Sequence, residues 1–367
     1  MLTGLILTPS GFVEGRLRVA EGRILAIDGE PRDEGRARAQ PLPLLLPGFI
    51  DLHVHGGAGA DVMDAGEAVH TLARLHAQHG TTALLATTMT APLPEIEAAL
   101  RALAPACSAQ RPGQARVLGV HLEGPYIHPQ RLGAQPPFAR LPLLQEILHL
   151  HRLAPIRVLT LAPEVEGALP LIPALVQAGL RVQIGHSQAS YEQAVAALQA
   201  GASGFTHLYN AMSALQHRAP GVVGAALAHA RHAELIADGV HVHPGAMQVA
   251  LRAVPGLFAV SDATAATGMP DGEYRLGRHT VTRCRDAVRL PDGTLAGSVL
   301  TLDQALRNLV QMGLSVAQAS RCTSTHAADY LGEGELGRLT PGAQADVVAL
   351  HPQTLAVQGV WVAGEAV

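Results

Sequence analysis

Along most of this chain, short apolar runs alternate with longer stretches in which Ala and Leu recur at helical spacing. "TTALLATTM" follows the helical "AVHTLARLHAQHG"; "RVLGVHLEG", "IRVLTLAPE", "RVQIGHS", "GFTHLYNAM", "AELIADGVHV" and "GLFAVSDAT" come in turn. Apolar runs of this length, separated by helical segments, read as buried strands of βα units in a parallel sheet. Between residues 47 and 334 the rhythm predicts an α/β fold of the TIM-like (β/α) barrel kind. Both ends of the chain differ from this. Residues 1–46 read as short strands and turns, with Glu21-Gly22 in "GRLRVAEGRILAID" forming a hairpin turn, and residues 335–367 have the same character in "ADVVALHPQTLAVQGVWVAGEAV". The expectation is a small β-sandwich domain assembled from both termini beside the barrel.

Almost every apolar run ends in a residue that can bind a metal or move a proton. These are His53 and His55, then Glu123, His186, His207, His241 and Asp262. The C-terminal strand ends of a (β/α) barrel build its active site. Any one of these residues has an ordinary explanation as a capping or solvated group; their recurrence in step with the strands does not. The stretch "PGFIDLHVHG" raises the question most sharply. Side chains alternate across a strand, so Asp51, His53 and His55 share one face and Leu52 and Val54 the other. A lone histidine there would read as a core residue with a satisfied hydrogen bond, whereas two imidazoles side by side can share a cation.

Composition removes several classes of function. The 367 residues are 48% hydrophobic and 15% charged with a net charge of -4, an enzyme-sized, core-forming chain without the basic footprint of a nucleic-acid binder. Cys107, Cys284 and Cys322 lie far apart, suggesting neither a disulfide framework nor a thiolate metal site. No basic segment precedes an apolar one at the N-terminus, so a cytoplasmic location is expected. "PLPLLLPGF" is too short and too broken by proline to span a membrane. Lysine is absent, and all 26 basic residues other than histidine are arginine. A Schiff-base lysine, a phosphate-loop lysine and a carboxylated lysine bridging two metals are therefore impossible. G-x-S-x-G and H-E-x-x-H are missing too. A hydrolytic metal site must come from His, Asp and Glu.

"PGFIDLHVHG" resembles the first-strand signature of the amidohydrolase superfamily. With "HLEGPY", "GHS", "THLYNAM", "DGVHV", "VSDATAATGMPDGEY" and "GSVLTLDQALRNLV", the chain from about residue 46 onward resembles the N-acetylglucosamine-6-phosphate deacetylases of that superfamily. The resemblance implies Glu123, His186 and His207 as metal ligands, Asp262 as the catalytic acid/base, and His53 and His55 as a first-strand pair that some relatives lack. Because this chain keeps both histidines, one or two divalent ions per subunit are implied, with Glu123 as the bridge. Zinc suits the donor set, with iron, cobalt or manganese as alternatives. The resemblance also implies substrate contacts from Ala134, Gln135, Asn210, Ala211, Arg218, His241 and the segment Leu295, Ala296, Gly297. Gln135 stands where some relatives carry a histidine, and His243 reads as structural. The implied reaction is hydrolysis of the acetamide of N-acetylglucosamine 6-phosphate, in a homodimer that can share Arg218 or His241 across its interface. Competing readings are an amidohydrolase for another N-acylated or cyclic amide, and a non-catalytic sugar-phosphate binding protein. Asp262 weighs against the latter, since binding alone needs no proton shuttle.

Overall fold

The computed structural model describes residues 1–39 and 41–367. A six-stranded parallel sheet runs Phe49–Val54, Thr81–Thr88, Arg116–Glu123, Ile156–Leu161, Arg181–Ile184 and Gly204–Phe205, and a parallel pair, His232–Ile236 with Gly256–Val260, completes the circuit. Two seams close the barrel. The Leu208 N–H donates to Glu234 O at 2.9 Å, and the Asp262 N–H donates to His53 O at 2.9 Å, with a parallel bridge from Val54 to Ala263. Helices follow the strands and cover the outside; in Ala68–Gln78, for example, Val69, Leu72, Ala73 and Ala77 are buried against the barrel. That spacing is the apolar stripe of an amphipathic helix.

Both termini contribute to one seven-stranded sheet, in the order Glu365–Ala366, Val357–Val362, Val347–Leu350, Leu44–Pro47, Leu2–Thr8, Gly11–Ala20, Arg23–Arg32. The continuous apolar run at Leu44–Pro47 is explained by its position. Leu44 and Leu46 join the barrel's core while Leu45 joins a second core with Ile6, Leu17, Ile24 and Val347, so both faces of the strand are buried. The hairpin between Gly11–Ala20 and Arg23–Arg32 turns at Glu21 (φ 51) and Gly22 (φ 74), the positive pair that a two-residue turn requires.

One element was not read from the sequence. Gly272–Leu276, His279–Cys284 and Ala287–Arg289 form a three-stranded antiparallel sheet inserted after the last barrel strand. Its apolar positions, Leu276, Val281 and Val288, pack with Met89, Ala266 and Ala296 in a small separate cluster. Among the described residues no helix is long and apolar enough to cross a membrane.

Candidate active site

The strand ends deliver the polar residues to one place. His53 and His55 leave the first strand, and Glu123 is the last residue of the third. His186, His207 and Asp262 each stand two residues beyond their strands, Arg181–Ile184, Gly204–Phe205 and Gly256–Val260. All three bend the chain with a positive φ (47, 30 and 50). That conformation is unfavourable for residues with a Cβ, by about 1–3 kcal/mol each, and such strain clusters at functional sites.

Glu123 lies at the centre, nearly without solvent contact. Its Oε1 is 3.0 Å from Nε2 of His186 and 3.0 Å from Nε2 of His207, which are 3.1 Å from each other. Its Oε2 is 3.1 Å from Nε2 of His55 and 3.5 Å from Nε2 of His53, which are 3.2 Å apart. Three of these rings use Nδ1–H elsewhere: His53 donates to Glu234 Oε2 at 2.9 Å, His55 to Thr87 O at 3.1 Å, His186 to Arg131 O at 2.7 Å. The neutral rings then turn bare Nε2 lone pairs towards Glu123 and one another. Acceptors packed against acceptors require positive charge between them, as protons or as a metal ion. Burial alone would lower the pKa of His55, but its bonds to Asp262 and Glu123 outweigh burial and carry it to about 9. Burial would likewise raise Asp262, yet the charges of His53 and His55 hold it down near 2, so it is a carboxylate at neutral pH. The donor set fits a divalent ion held by Glu123, His186 and His207, and a second one held by His53, His55 and Glu123.

A cavity of about 350 Å³ opens over this cluster. Of the positions expected to touch substrate, Ala134, Gln135, Asn210, Ala211, His241, Leu295 and Gly297 line it. Asn210 donates through Nδ2 to His207 O and Leu208 O. The ring of His241 donates from Nδ1 to Asp238 Oδ2 at 2.6 Å. Burial opposes charge on His241, but Asp238 prevails and raises its pKa, favouring the charged form that an anionic group would meet. Gln135 is oriented by its neighbours: its oxygen accepts the Thr90 N–H at 2.7 Å and its nitrogen donates to Glu123 Oε2 at 2.6 Å. Here that side chain holds the central carboxylate.

Two expected contacts are not brought to the cavity of their own chain. Arg218 is exposed, in a loop that closes on itself through the Gln216–Ala219 bridge and is anchored by Ser213, which bonds Ala189 O and Val222 N. Ala296 is fully buried in the inserted sheet's apolar cluster, its N–H donating to Val288 O. His243 caps the helix Pro244–Ala253, accepting from the Gly245 N–H, in keeping with its structural reading. Arg131, by contrast, was missed and lines the cavity. Its Nε bonds Gln188, and its carbonyl fixes His186. The signal was a cation four residues before Gln135 in the same loop.

Known proteins resemble this chain in sequence and in fold. The amidohydrolase family model matches residues 44–367. An N-acetylgalactosamine-6-phosphate deacetylase of Escherichia coli O157:H7 is 46% identical over 98% of this chain and 97% of its own length. The N-acetylglucosamine-6-phosphate deacetylase of Vibrio furnissii is 42% identical over 94% of this chain and 88% of its own. Among solved structures, a mutant Mycobacterium smegmatis N-acetyl-D-glucosamine-6-phosphate deacetylase in complex with N-acetyl-D-glucosamine-6-phosphate superimposes with a TM-score of 0.91, at 33% identity, covering 99% of this chain and 97% of that one.

Proposed function

The chain belongs to the amidohydrolase family, and we propose that it hydrolyses the acetamide of N-acetylglucosamine 6-phosphate to glucosamine 6-phosphate and acetate. The observation that carries this reading is the convergence of four imidazole Nε2 atoms and two carboxylates beneath a cavity bearing Arg131 and His241. Curated relatives with this activity cover most of the chain.

Glu123, His186 and His207 would hold one divalent ion, and His53 and His55 with the other oxygen of Glu123 a second; zinc suits imidazole and carboxylate donors. Such an ion supplies Lewis acidity towards a carbonyl oxygen and lowers the pKa of water. Asp262, ionised and 3.3 Å from His55, is placed to take the proton of the attacking water and return it to the departing amine. Asn210, Ala134 and Leu295 shape the sugar's berth. His241 and Arg131 present positive charge to the phosphate, and in a homodimer the exposed loop of a second copy would bring its Arg218 to the same group. A phosphorylated sugar, unable to cross a membrane unaided, places the reaction in the cytoplasm.

One observation favours a second reading of the sugar: the 46%-identical relative acts on the galactose epimer. Acetate release from N-acetylglucosamine 6-phosphate, N-acetylgalactosamine 6-phosphate and unphosphorylated N-acetylglucosamine separates the readings. The proposal expects the glucose epimer to be turned over fastest and the unphosphorylated sugar poorly. Arg218→Ala should lower kcat/KM for the phosphorylated sugar by about 10- to 150-fold, from about 1.5–3 kcal/mol per charged hydrogen bond at about 1.4 kcal/mol per decade. It should scarcely change the unphosphorylated sugar. Preference for the galactose epimer would reassign the substrate, and indifference to phosphate would reject the sugar-phosphate reading.

A further inference from the structure

Glu234 is a carboxylate without solvent contact in the middle of the strand His232–Ile236, and it takes no part in the chemistry above. Its Oε2 accepts the Nδ1–H of His53 at 2.9 Å and the main-chain N–H of His207 at 3.1 Å. Its own carbonyl accepts the Leu208 N–H at 2.9 Å, at the seam between the sixth and seventh strands. A single residue thus ties the first-strand imidazole to the left-handed turn (φ 30) from which the His207 ring projects. A buried carboxylate is unfavourable unless it is paired in this way.

Glu234, His53 and His121 also bring potential metal donors together. The imidazole nitrogens facing that group are already taken up by hydrogen bonds, and only Oε1 of Glu234 has no hydrogen-bond partner among the described residues. The two ring nitrogens of His121 lie 3.1 Å from Leu52 O and 2.7 Å from Thr160 Oγ1, and Nδ1 of His53 faces Glu234 itself. The free donor of His53 is Nε2, on the far side of its ring, towards His55 and Glu123.

We propose that Glu234 is a positioning residue for the metal centre, acting through His53: by accepting Nδ1–H it fixes the tautomer and ring orientation that turn Nε2 towards Glu123. Its contact with the His207 backbone keeps the two halves of the centre in register. An ion shared by His53, His55 and Glu123 then depends on a side chain that never touches it. A carboxylate behind a ligating imidazole also raises the ring's basicity, and removing such a partner lowers metal affinity by about 10- to 100-fold.

This inference rests on the metal-centre reading but not on the substrate, so its test uses zinc alone. Zinc binding is measured by competition with a chelating dye in the full chain, in Glu234→Gln and in Glu234→Leu, and again with each change combined with His53→Asn. Glutamine keeps an acceptor but no charge, and should weaken the more loosely held zinc about 10-fold; leucine, with no acceptor, should weaken it about 100-fold. With His53→Asn present, Glu234→Gln should change zinc binding less than about twofold, because residues acting as a unit are non-additive. Identical zinc curves for wild type and Glu234→Gln would overturn the proposal. So would an equal loss with and without His53, the mark of a merely structural role. If Glu234→Leu does not fold, the glutamine comparison decides. Normal zinc behaviour without acetate release would reject the substrate reading and leave this one standing.

Discussion

The terminal sheet and the barrel mouth start from the same alternation of side chains across strands and use it differently. In the sheet, Ile6, Leu45 and Val347 face one core while Leu5, Leu44 and Val348 face the other. Side chains there follow the strand alternation, and the positive φ values fall in surface hairpin turns such as Glu21-Gly22 and Ala363-Gly364 rather than at buried polar residues. At the mouth, preference is overridden repeatedly. His186, His207 and Asp262 adopt positive φ, and Glu123 is buried among imidazoles whose lone pairs converge. Agreement between levels of structure is the signature of a stable fold, and its local violation marks a functional site. Substitutions in the two regions should therefore fail in different ways.

Glu123→Gln should have the largest effect, because it removes the charge that both groups of histidines face. Nearly all bound metal and activity should be lost while the protein stays folded, as metal analysis and circular dichroism would show. Metal bound at the wild-type level would remove Glu123 from the centre. Asp262→Asn comes next: turnover should fall about 100-fold or more, the scale of general acid–base catalysis, with substrate still bound. Near-normal turnover in that variant would assign the proton shuttle elsewhere.

In the sheet, Leu45→Ala should do the reverse. It opens a cavity beside Ile6 and Val347 and should cost about 2–5 kcal/mol in denaturant titrations, with kcat unchanged. A stable but inactive Leu45→Ala protein would break the division between the regions.

The smallest effect lies between the two, at His76. Its Nε2–H donates to Gly56 O, next to His55, from the helix Ala68–Gln78. Burial pushes its pKa down from 6.5 to about 4, so the unfolded chain takes up this proton first. Stability from neutral His76 is complete above about pH 6.5 and is lost as pH falls through about 4, by up to about 3 kcal/mol at about 1.4 kcal/mol per unit. His76→Gln keeps a donor and cannot titrate there, so its unfolding free energy should vary less over that interval. An unchanged pH dependence would show that other groups carry the acid sensitivity.

Much of this was legible in the sequence, for a physical reason. Barrel strands are buried on both faces, so a polar residue at the end of an apolar run is conspicuous, and His53, His55, Glu123, His186, His207 and Asp262 all announce themselves that way. Glu234 did not, because it sits inside "AELIADGV", where one carboxylate in a short run says nothing about its partners. Arg131 and Arg218 are both loop arginines. Only the folded loops decide that the first lines the cavity and the second is exposed. The inserted sheet was hidden because its strands have exposed, polar residues between Leu276, Val281 and Val288 and show no long apolar run.

The most direct test of the central claim is acetate release from N-acetylglucosamine 6-phosphate by one preparation in three states: as purified, after exhaustive chelation, and after titration with zinc. The convergence on Glu123 predicts that chelation abolishes turnover and that zinc restores it in proportion to the ion bound. Full activity in the chelated protein, with metal analysis showing none bound, would contradict the account.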